Sequence, residues 1–165
     1  MASRFVVGID PAFGGTGIAM FGRTGKLVAV SLLKKIGKDP FEERASFLAC
    51  ETLNVIGGGY KVPVGGTIHV YCEIPAYHGT PSRSMGWIKG DLQKLTYLVG
   101  AIGHEIISHG YGFHTCTTMN WKGQLSKKLV TDRIRKRISD VDSRFHPKAD
   151  MWDAIGIGMW ALGRF

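Results

Sequence analysis

The sequence predicts an α/β domain in which a mixed five-stranded sheet, three antiparallel strands followed by two parallel ones, is flanked by helices. Three short β-rich segments open the chain one directly after another, which is typical of antiparallel pairing through tight turns. Two further β-rich segments each follow a helical pattern, and strand–helix–strand units place their strands in parallel with helices over the sheet faces. The 165 residues can bury one core of ordinary size, so we expect a single domain over residues 1–165.

The three antiparallel strands are predicted over Arg4–Asp10, Thr16–Phe21 and residues 26–33, each of which is an apolar, β-rich run. Residues 11–15 contain a proline and two glycines and should reverse the chain after the first strand. Residues 22–25 have the composition of a tight hairpin turn.

A helix and a fourth strand are predicted next. Asp39 is a candidate N-cap and Pro40 suits the first helical position, so the helix should run from there to about Ile56, where three glycines follow. Residues 67–73 have the apolar, β-branched composition of a buried strand, and this strand, like the first, ends on a carboxylate, Glu73.

The second half of the chain is predicted to contain a long helix, a short strand and a final helix. Between residues 84 and 108 apolar side chains recur at steps of three and four, as on one face of a helix. Residues 113–117 are typical of a short strand. A basic segment over residues 122–148 then precedes an apolar helix at about 150–162.

The charge composition indicates a polyanionic partner. Lysine and arginine number 21 against 13 aspartates and glutamates, a formal net charge of +8, which is typical of proteins that bind nucleic acid. Much of the excess lies in the basic segment, where the cations predicted to bind DNA are Lys122, Lys128, Arg133, Arg135, Lys136, Arg137 and Lys148. Such contacts hold phosphates without reading bases, so affinity should fall steeply with salt. A solvated basic helix face is the alternative interpretation.

Several features argue against export and membrane insertion. No apolar run approaches the ~20 residues of a membrane-spanning helix, and the first residues lack the apolar core and cleavage site of a signal peptide. The cysteines Cys50, Cys72 and Cys116 include no CxxC pair and favour a reducing compartment. We therefore expect no membrane partner and a cytoplasmic location.

Four carboxylates are the candidate catalytic residues. Asp10 and Glu73 each end a predicted strand, and the carboxyl ends of neighbouring strands converge at one edge of a sheet. Asp150 and Asp153 lie three residues apart and share a helix face. Carboxylates in one pocket repel one another unless divalent cations neutralise them, and oxygen ligands without His or Cys favour Mg²⁺ or Mn²⁺ over Zn²⁺. Two such ions beside a phosphodiester predict a nuclease.

Taken singly, these residues have simpler interpretations. Asp10 is a candidate turn residue, Glu73 could end a strand on a solvated rim, and Asp150 is a candidate N-cap. Asp153 is harder to explain in this way, because an apolar run follows it directly and an unpaired buried charge is costly. The joint pattern therefore favours a site.

In order and spacing, these residues resemble the RuvC-type Holliday junction resolvases of the RNase H-like superfamily. The resemblance rests on residues 8–11, 14–17, Glu73 and residues 148–154, and it spans nearly the whole chain. It implies an RNase H-like fold, a homodimer, and symmetrical nicking of four-way DNA junctions that depends on Mg²⁺ and leaves a 5′-phosphate and a 3′-hydroxyl. The metal ligands that it implies are Asp10, Glu73, Asp150 and Asp153.

The same family carries a lysine near its site, in an Ala-x-Lys-x-x-Val context. Residues 125–130 are similar to that pattern without being identical to it. The resemblance assigns the position to Lys127, with Lys128 as the alternative. A solvated lysine on a helix face is the simpler interpretation of either residue.

Departures from the family pattern resemble phage-type members, which implies a bacterial cell or a phage-infected host. The loop after Glu73 lacks the aromatic residue that the bacterial enzymes insert at the junction centre. Tyr77 lies in that loop and is a candidate for stacking on an unpaired base, with packing inside the loop as the alternative. The dimer contacts implied by the family would involve the long helix, although its apolar stripe suits an intramolecular core equally well.

Three other functions stay open at the level of sequence. An actin-like phosphotransferase shares the opening Gly-Ile-Asp-Pro but needs two domains around its nucleotide. A non-catalytic junction-binding module would explain the charge but leaves Asp150 and Asp153 facing phosphates that repel them. A related RNase H-like nuclease acting on flaps, forks or RNA–DNA hybrids would use the same residues.

Overall fold

The computed structural model describes residues 4–34, 37, 39–58, 67–75, 90–138 and 149–165. The strands in these ranges are β1 (Arg4–Asp10), β2 (Thr16–Phe21), β3 (Leu27–Leu33), β4 (Thr67–Ile74) and β5 (Gly112–Thr117). The helices are α1 (Phe41–Gly58), α2 (Asp91–Ser108), α3 (Thr118–Trp121), α4 (Lys127–Arg137) and α5 (Ala149–Ala161). None of these helices combines the length and the apolar composition that crossing a membrane requires.

The strands form one sheet in the order β3-β2-β1-β4-β5. β2 runs antiparallel to both β1 and β3, whereas β4 runs parallel to both β1 and β5. Parallel neighbours need a crossover connection, and α1 and α2 lie in the connections that precede β4 and β5. The mixed five-stranded sheet predicted from the sequence is confirmed.

The sheet separates two apolar cores. Because alternate strand residues point to opposite faces, Val7 and Ile9 of β1 pack with side chains of α1 and α2, whereas Val6 packs with α5. Trp121 of α3 and Ile134 of α4 belong to this second core. Asp10 and Glu73 alternate in phase with the second core, so the edge that carries them lies beneath α5.

Glycines allow α5 to lie directly on the sheet. A Cβ at Gly8 would collide with the carbonyl oxygen of Ala154, and a Cβ at Gly17 would collide with the carbonyl of Asp150. Gly158, on the helix itself, leaves room for an aromatic ring of β2. The first turn of α5 is thereby held against the edge of the sheet where β1 ends and β2 begins.

Most predicted boundaries agree with the structure to within two residues, but the long helix differs at its start. α2 begins at Asp91, since Gly90 has a φ of 68°, in the left-handed region that a continuous helix does not contain. Residues 84–89 of the predicted helix lie outside the described ranges. The one-turn helix α3 was not predicted, because four residues are too few to show a periodicity.

Gly8→Ala should destabilise the protein, because the added methyl group would meet the backbone of Ala154 and of Gly158, which cannot rotate away as a side chain does. We expect the free energy of unfolding to fall by about 1–3 kcal/mol, as in overpacked cores. Urea denaturation followed by circular dichroism measures it.

Gly100→Ala is the matched control for that substitution. Among the described residues, no atom beyond the neighbouring backbone of its own helix lies within 4 Å of a Cβ at Gly100. Alanine favours a helix over glycine by up to about 1 kcal/mol, so this variant should be stabilised. Equal effects of the two substitutions would contradict the close contact between α5 and β1.

Candidate active site

Asp10 and Glu73 lie side by side at one edge of the sheet. β1 and β4 are parallel, with Ile9 opposite Cys72, so the next residue on each strand is one of the two carboxylates. Both side chains point to the α5 face, because they alternate with strand residues that point to the opposite face, into the core formed with α1 and α2. The convergence predicted from the strand ends is present in the fold.

Glu73 is held by two hydrogen bonds from α3. The Thr118 hydroxyl Oγ1 donates to Oε1 at 2.5 Å, and the Trp121 indole Nε1 donates to Oε2 at 2.6 Å. Sequence reasoning missed both donors. The fact that could have suggested them is that residues 118–121 directly follow β5, the strand that pairs with β4.

The other two carboxylates come from the first turns of α5. Asp150 lies beside the turn after β1, with its Oδ2 atom 3.5 Å from the position of a Cβ on Gly15. Asp153 is buried, with 6% of its surface exposed. Lys127 Nζ lies 3.0 Å from Asp153 Oδ2, whereas Oδ1 is buried and has no hydrogen-bond partner among the described residues.

Burial and mutual repulsion raise the pKa of Asp10 from 3.8 to about 8. Burial is the largest cause, the negative charges that add to it are those of Asp153, Glu73 and Asp150, and the charge of Lys127 opposes them. Repulsion of this kind requires short separations. The four carboxylates predicted from the sequence therefore form one electrostatic cluster.

Lys127 forms an ion pair with Asp153 of this cluster. Partial burial by itself would lower the pKa of Lys127, but its hydrogen bond to Asp153 and the charges of Asp153 and two further aspartates outweigh that effect and raise the pKa. The ammonium group therefore stays charged beside a buried carboxylate. One lysine cannot neutralise four carboxylates.

The donor chemistry of the cluster fits a hard divalent cation. Its atoms are carboxylate oxygens, Asp153 Oδ1 has no partner among the described residues, and the net charge is negative. In the described residues, however, no three His, Cys, Asp or Glu side chains are placed to coordinate one ion together. The oxygens of Glu73 face Thr118 and Trp121, and one oxygen of Asp153 faces the lysine.

Several of the cations predicted to bind DNA are fixed by contacts within the protein. Three lie over aromatic rings: Lys122 over Trp121 at 4.9 Å, Arg133 over Phe165 at 5.7 Å and Arg135 over Trp152 at 5.0 Å. Arg137 donates to the carbonyl oxygen of Arg164 at 2.6 Å. Lys128 and Lys136 are exposed and have no ionic or hydrogen-bond partner among the described residues. Tyr77 and Lys148 lie outside the described residues.

Solved structures of resolvases share this arrangement of strands and helices. Thermus thermophilus RuvC in complex with Holliday junction substrate matches 98% of this chain and 97% of its own, with a TM-score of 0.71 and 18% identity. The fowlpox virus resolvase, in complex with substrate Holliday junction DNA, matches 97% of this chain and 99% of its own, with a TM-score of 0.58 and 12% identity. The chain has the RuvC-like fold.

The yeast mitochondrial Holliday junction resolvase is a third example. It matches 96% of this chain and 78% of its own, with a TM-score of 0.57 and 12% identity. No protein-family model matches the sequence, and no curated protein matches it. The likeness to these structures therefore lies in the fold, and the RNase H-like architecture implied by the sequence resemblance is confirmed.

In EDTA, the contribution of Asp10 to the free energy of unfolding should fall as the pH rises from about 4 to about 8 and should then level off. The raised pKa of Asp10 means that the native state binds a proton that the unfolded state releases above its ordinary pKa of 3.8, so stability is lost through this window. Asp10→Asn should remove this component. Urea denaturation of both proteins across the pH range measures it, and parallel curves would contradict the raised pKa.

Proposed function

We propose that the protein is a Holliday junction resolvase, a metal-dependent endonuclease that nicks four-way DNA junctions symmetrically by two-metal-ion phosphodiester hydrolysis. The observation that supports this most directly is the cluster of four carboxylates under α5, with Lys127 beside it, in a fold shared with resolvases solved in complex with junction DNA. The phage-type assignment stays a prediction.

The metal ligands in this proposal are Asp10, Glu73, Asp150 and Asp153. Bound Mg²⁺, or Mn²⁺ in its place, would supply Lewis-acid activation of the scissile phosphate. The chain itself supplies the negative charge that retains the cations and the burial that excludes bulk water from Asp153. Lys127 stays charged at the edge of the cluster and stabilises negative charge that develops on the phosphate. The products are a 5′-phosphate and a 3′-hydroxyl.

The basic face of α4 is the proposed DNA-binding surface. Lys127 and Arg135 lie eight residues apart, about two helical turns, and contact the neighbouring residues Asp153 and Trp152. This face of α4 therefore contacts the start of α5. Phosphates bound by the exposed cations of α4 would lie next to the carboxylates.

Symmetrical nicking needs two sites related by a two-fold axis, and we propose that a second copy of the chain provides the other one. The outer side of the α1–α2 pair carries exposed apolar residues that suit this contact: Phe47, Tyr97 and Ile107 are 39%, 51% and 61% exposed. The dimer contact that we propose therefore involves α2, away from the face that carries α5.

The proposed function is tested by incubating the protein with a labelled four-way junction, beside linear duplex, fork, flap and RNA–DNA hybrid. We expect paired nicks confined to the junction in Mg²⁺ and none in EDTA. Asp153→Asn removes a charge from the cluster while keeping the size of the side chain, so cleavage should collapse by at least about 100-fold while junction binding persists.

The other outcomes of this panel would change the proposal in different ways. Preferential cutting of flaps, forks or hybrids would replace the junction by another substrate of the same site. Junction binding without cleavage in Mg²⁺ or Mn²⁺ would favour a non-catalytic binding module. A fully active Asp153→Asn variant would remove Asp153 from the site.

Lys127→Ala and Lys128→Ala form a matched pair of adjacent residues with different expected effects. Lys127 reaches the cluster, so its loss should lower the rate of cleavage at saturating enzyme by about 100-fold, with little change in junction affinity. Lys128 is exposed, so its loss should weaken junction binding and reduce its salt dependence while leaving the saturated rate intact. Single-turnover cleavage and binding at several salt concentrations separate these effects, and the reverse pattern would assign the site to Lys128.

A further inference from the structure

We propose that Thr118 and Trp121 are positioning residues that fix both oxygens of Glu73 for cation binding. The inference rests on the proposed function in that it treats Glu73 as a metal ligand. It goes beyond the carboxylates to a second layer of side chains, which belong to the one-turn helix α3.

The position of α3 follows from the pairing of β4 and β5. The two strands are parallel, with Glu73 opposite Cys116 and Ile74 opposite Thr117, so they end at the same edge of the sheet. A reciprocal capping box begins the helix: the Thr117 backbone N–H donates to Asn120 Oδ1 at 2.8 Å, and the Asn120 backbone N–H donates to Thr117 Oγ1 at 3.3 Å. The cap turns the chain directly at the end of β5 and brings both donors to Glu73.

Trp121 is a rigid donor because its ring is packed on several sides. It is 2% exposed and belongs to the second core. Its Cζ3 atom lies 2.5 Å from the position of a Cβ on Gly156 of α5, so the absence of a side chain there makes room for the ring. The ring of Phe165 packs edge-on at 5.7 Å between centroids. The indole therefore sets the distance between Glu73 and the helix that carries Asp150 and Asp153.

The two hydrogen bonds leave Glu73 able to bind a cation. An ionised carboxylate has about four lone-pair sites on two oxygens, and each donor takes one site on a different oxygen. Partners of this kind orient metal-binding carboxylates, and their removal typically costs about 10- to 100-fold in metal affinity or activity. Without these donors the Glu73 side chain could rotate, and it would lose conformational entropy each time it bound a cation.

A merely structural role predicts a different pattern of effects. The indole N–H of a buried tryptophan needs an acceptor in any case, and Glu73 could serve only that need. Removing the donors would then change stability without changing how tightly the protein binds a divalent cation. Cation affinity is therefore the measurement that separates the two roles.

The experiment measures Mn²⁺ binding to the protein alone, without DNA, by electron paramagnetic resonance of the free ion. Trp121→Phe keeps an aromatic ring but removes the N–H, and Thr118→Val keeps the shape but removes the hydroxyl. Each should weaken Mn²⁺ binding about 10- to 100-fold. Thr118→Ser restores the hydroxyl and should restore affinity. Trp160→Phe and Thr24→Val are the matched controls, because neither residue contacts Glu73, and they should bind as the wild type does.

A double-substitution cycle links the effect to Glu73. Glu73→Ala should weaken Mn²⁺ binding, and adding Trp121→Phe should then have no further effect, because the donor no longer has a side-chain oxygen to orient. In junction cleavage, the donor variants should need more Mn²⁺ for half the maximal rate while binding the junction in EDTA as the wild type does.

Wild-type Mn²⁺ affinity in folded Thr118→Val and Trp121→Phe would overturn the inference, as would equal losses with and without Glu73→Ala. Thermal unfolding shows whether each variant folds, and Thr118→Val carries the test if Trp121→Phe does not. A wild-type protein that binds Mn²⁺ without cutting junctions would refute the proposed function, whereas the Mn²⁺ affinities of the variants would still decide the role of the two donors. A wild-type protein that binds no Mn²⁺ would overturn the inference.

Discussion

The close packing of α5 on β1 and β2 is the constraint on which the candidate site depends. The helix can approach because Gly8 and Gly17 leave its backbone in contact with the sheet. Burial of its apolar side chains, each contributing roughly 1.5–3 kcal/mol for an isoleucine or methionine, supplies the attraction. The same contact brings Asp150 and Asp153 to Asp10 and Glu73, which repel them. Hydrophobic burial thus assembles a cluster of like charges that would not assemble by itself.

The charge balance of the cluster explains why its groups differ in environment. Asp153 is the most buried of the four carboxylates and is the one that Lys127 contacts. Glu73 is less buried and receives two neutral donors. Asp10 has no comparable partner among the described residues, so its burial, together with the repulsion of the other three carboxylates, raises its pKa to about 8. A site arranged in this way favours any cation that can enter it, since a cation relieves a repulsion that folding has already imposed.

Sequence patterns predicted the elements whose signals are local. Apolar runs and turn glycines located β1 and β2 at their exact bounds, and the i, i+3 spacing located Asp150 and Asp153 on one helix face. Contacts between distant segments left no such signal. The donors to Glu73 lie 45 and 48 residues away from it, and the rings under Arg133 and Arg135 lie in α5 and beyond it. Among the described residues, α2 begins only after the left-handed Gly90, which the sequence did not predict because an apolar periodicity does not report the backbone angle of a glycine.

The second core also contacts both the DNA-binding cations that we propose and the cluster of four carboxylates. Trp121 donates to Glu73 and carries Lys122 over its ring, while Trp152 adjoins Asp153 and carries Arg135. Two buried tryptophans thus hold Lys122 close to Glu73 and Arg135 close to Asp153. A phosphate backbone is attracted by these cations and repelled by the carboxylates. It can lie across both only where a divalent cation separates phosphate from carboxylate. Under the proposed function, the geometry that would bind DNA is therefore also the geometry that would require a metal ion.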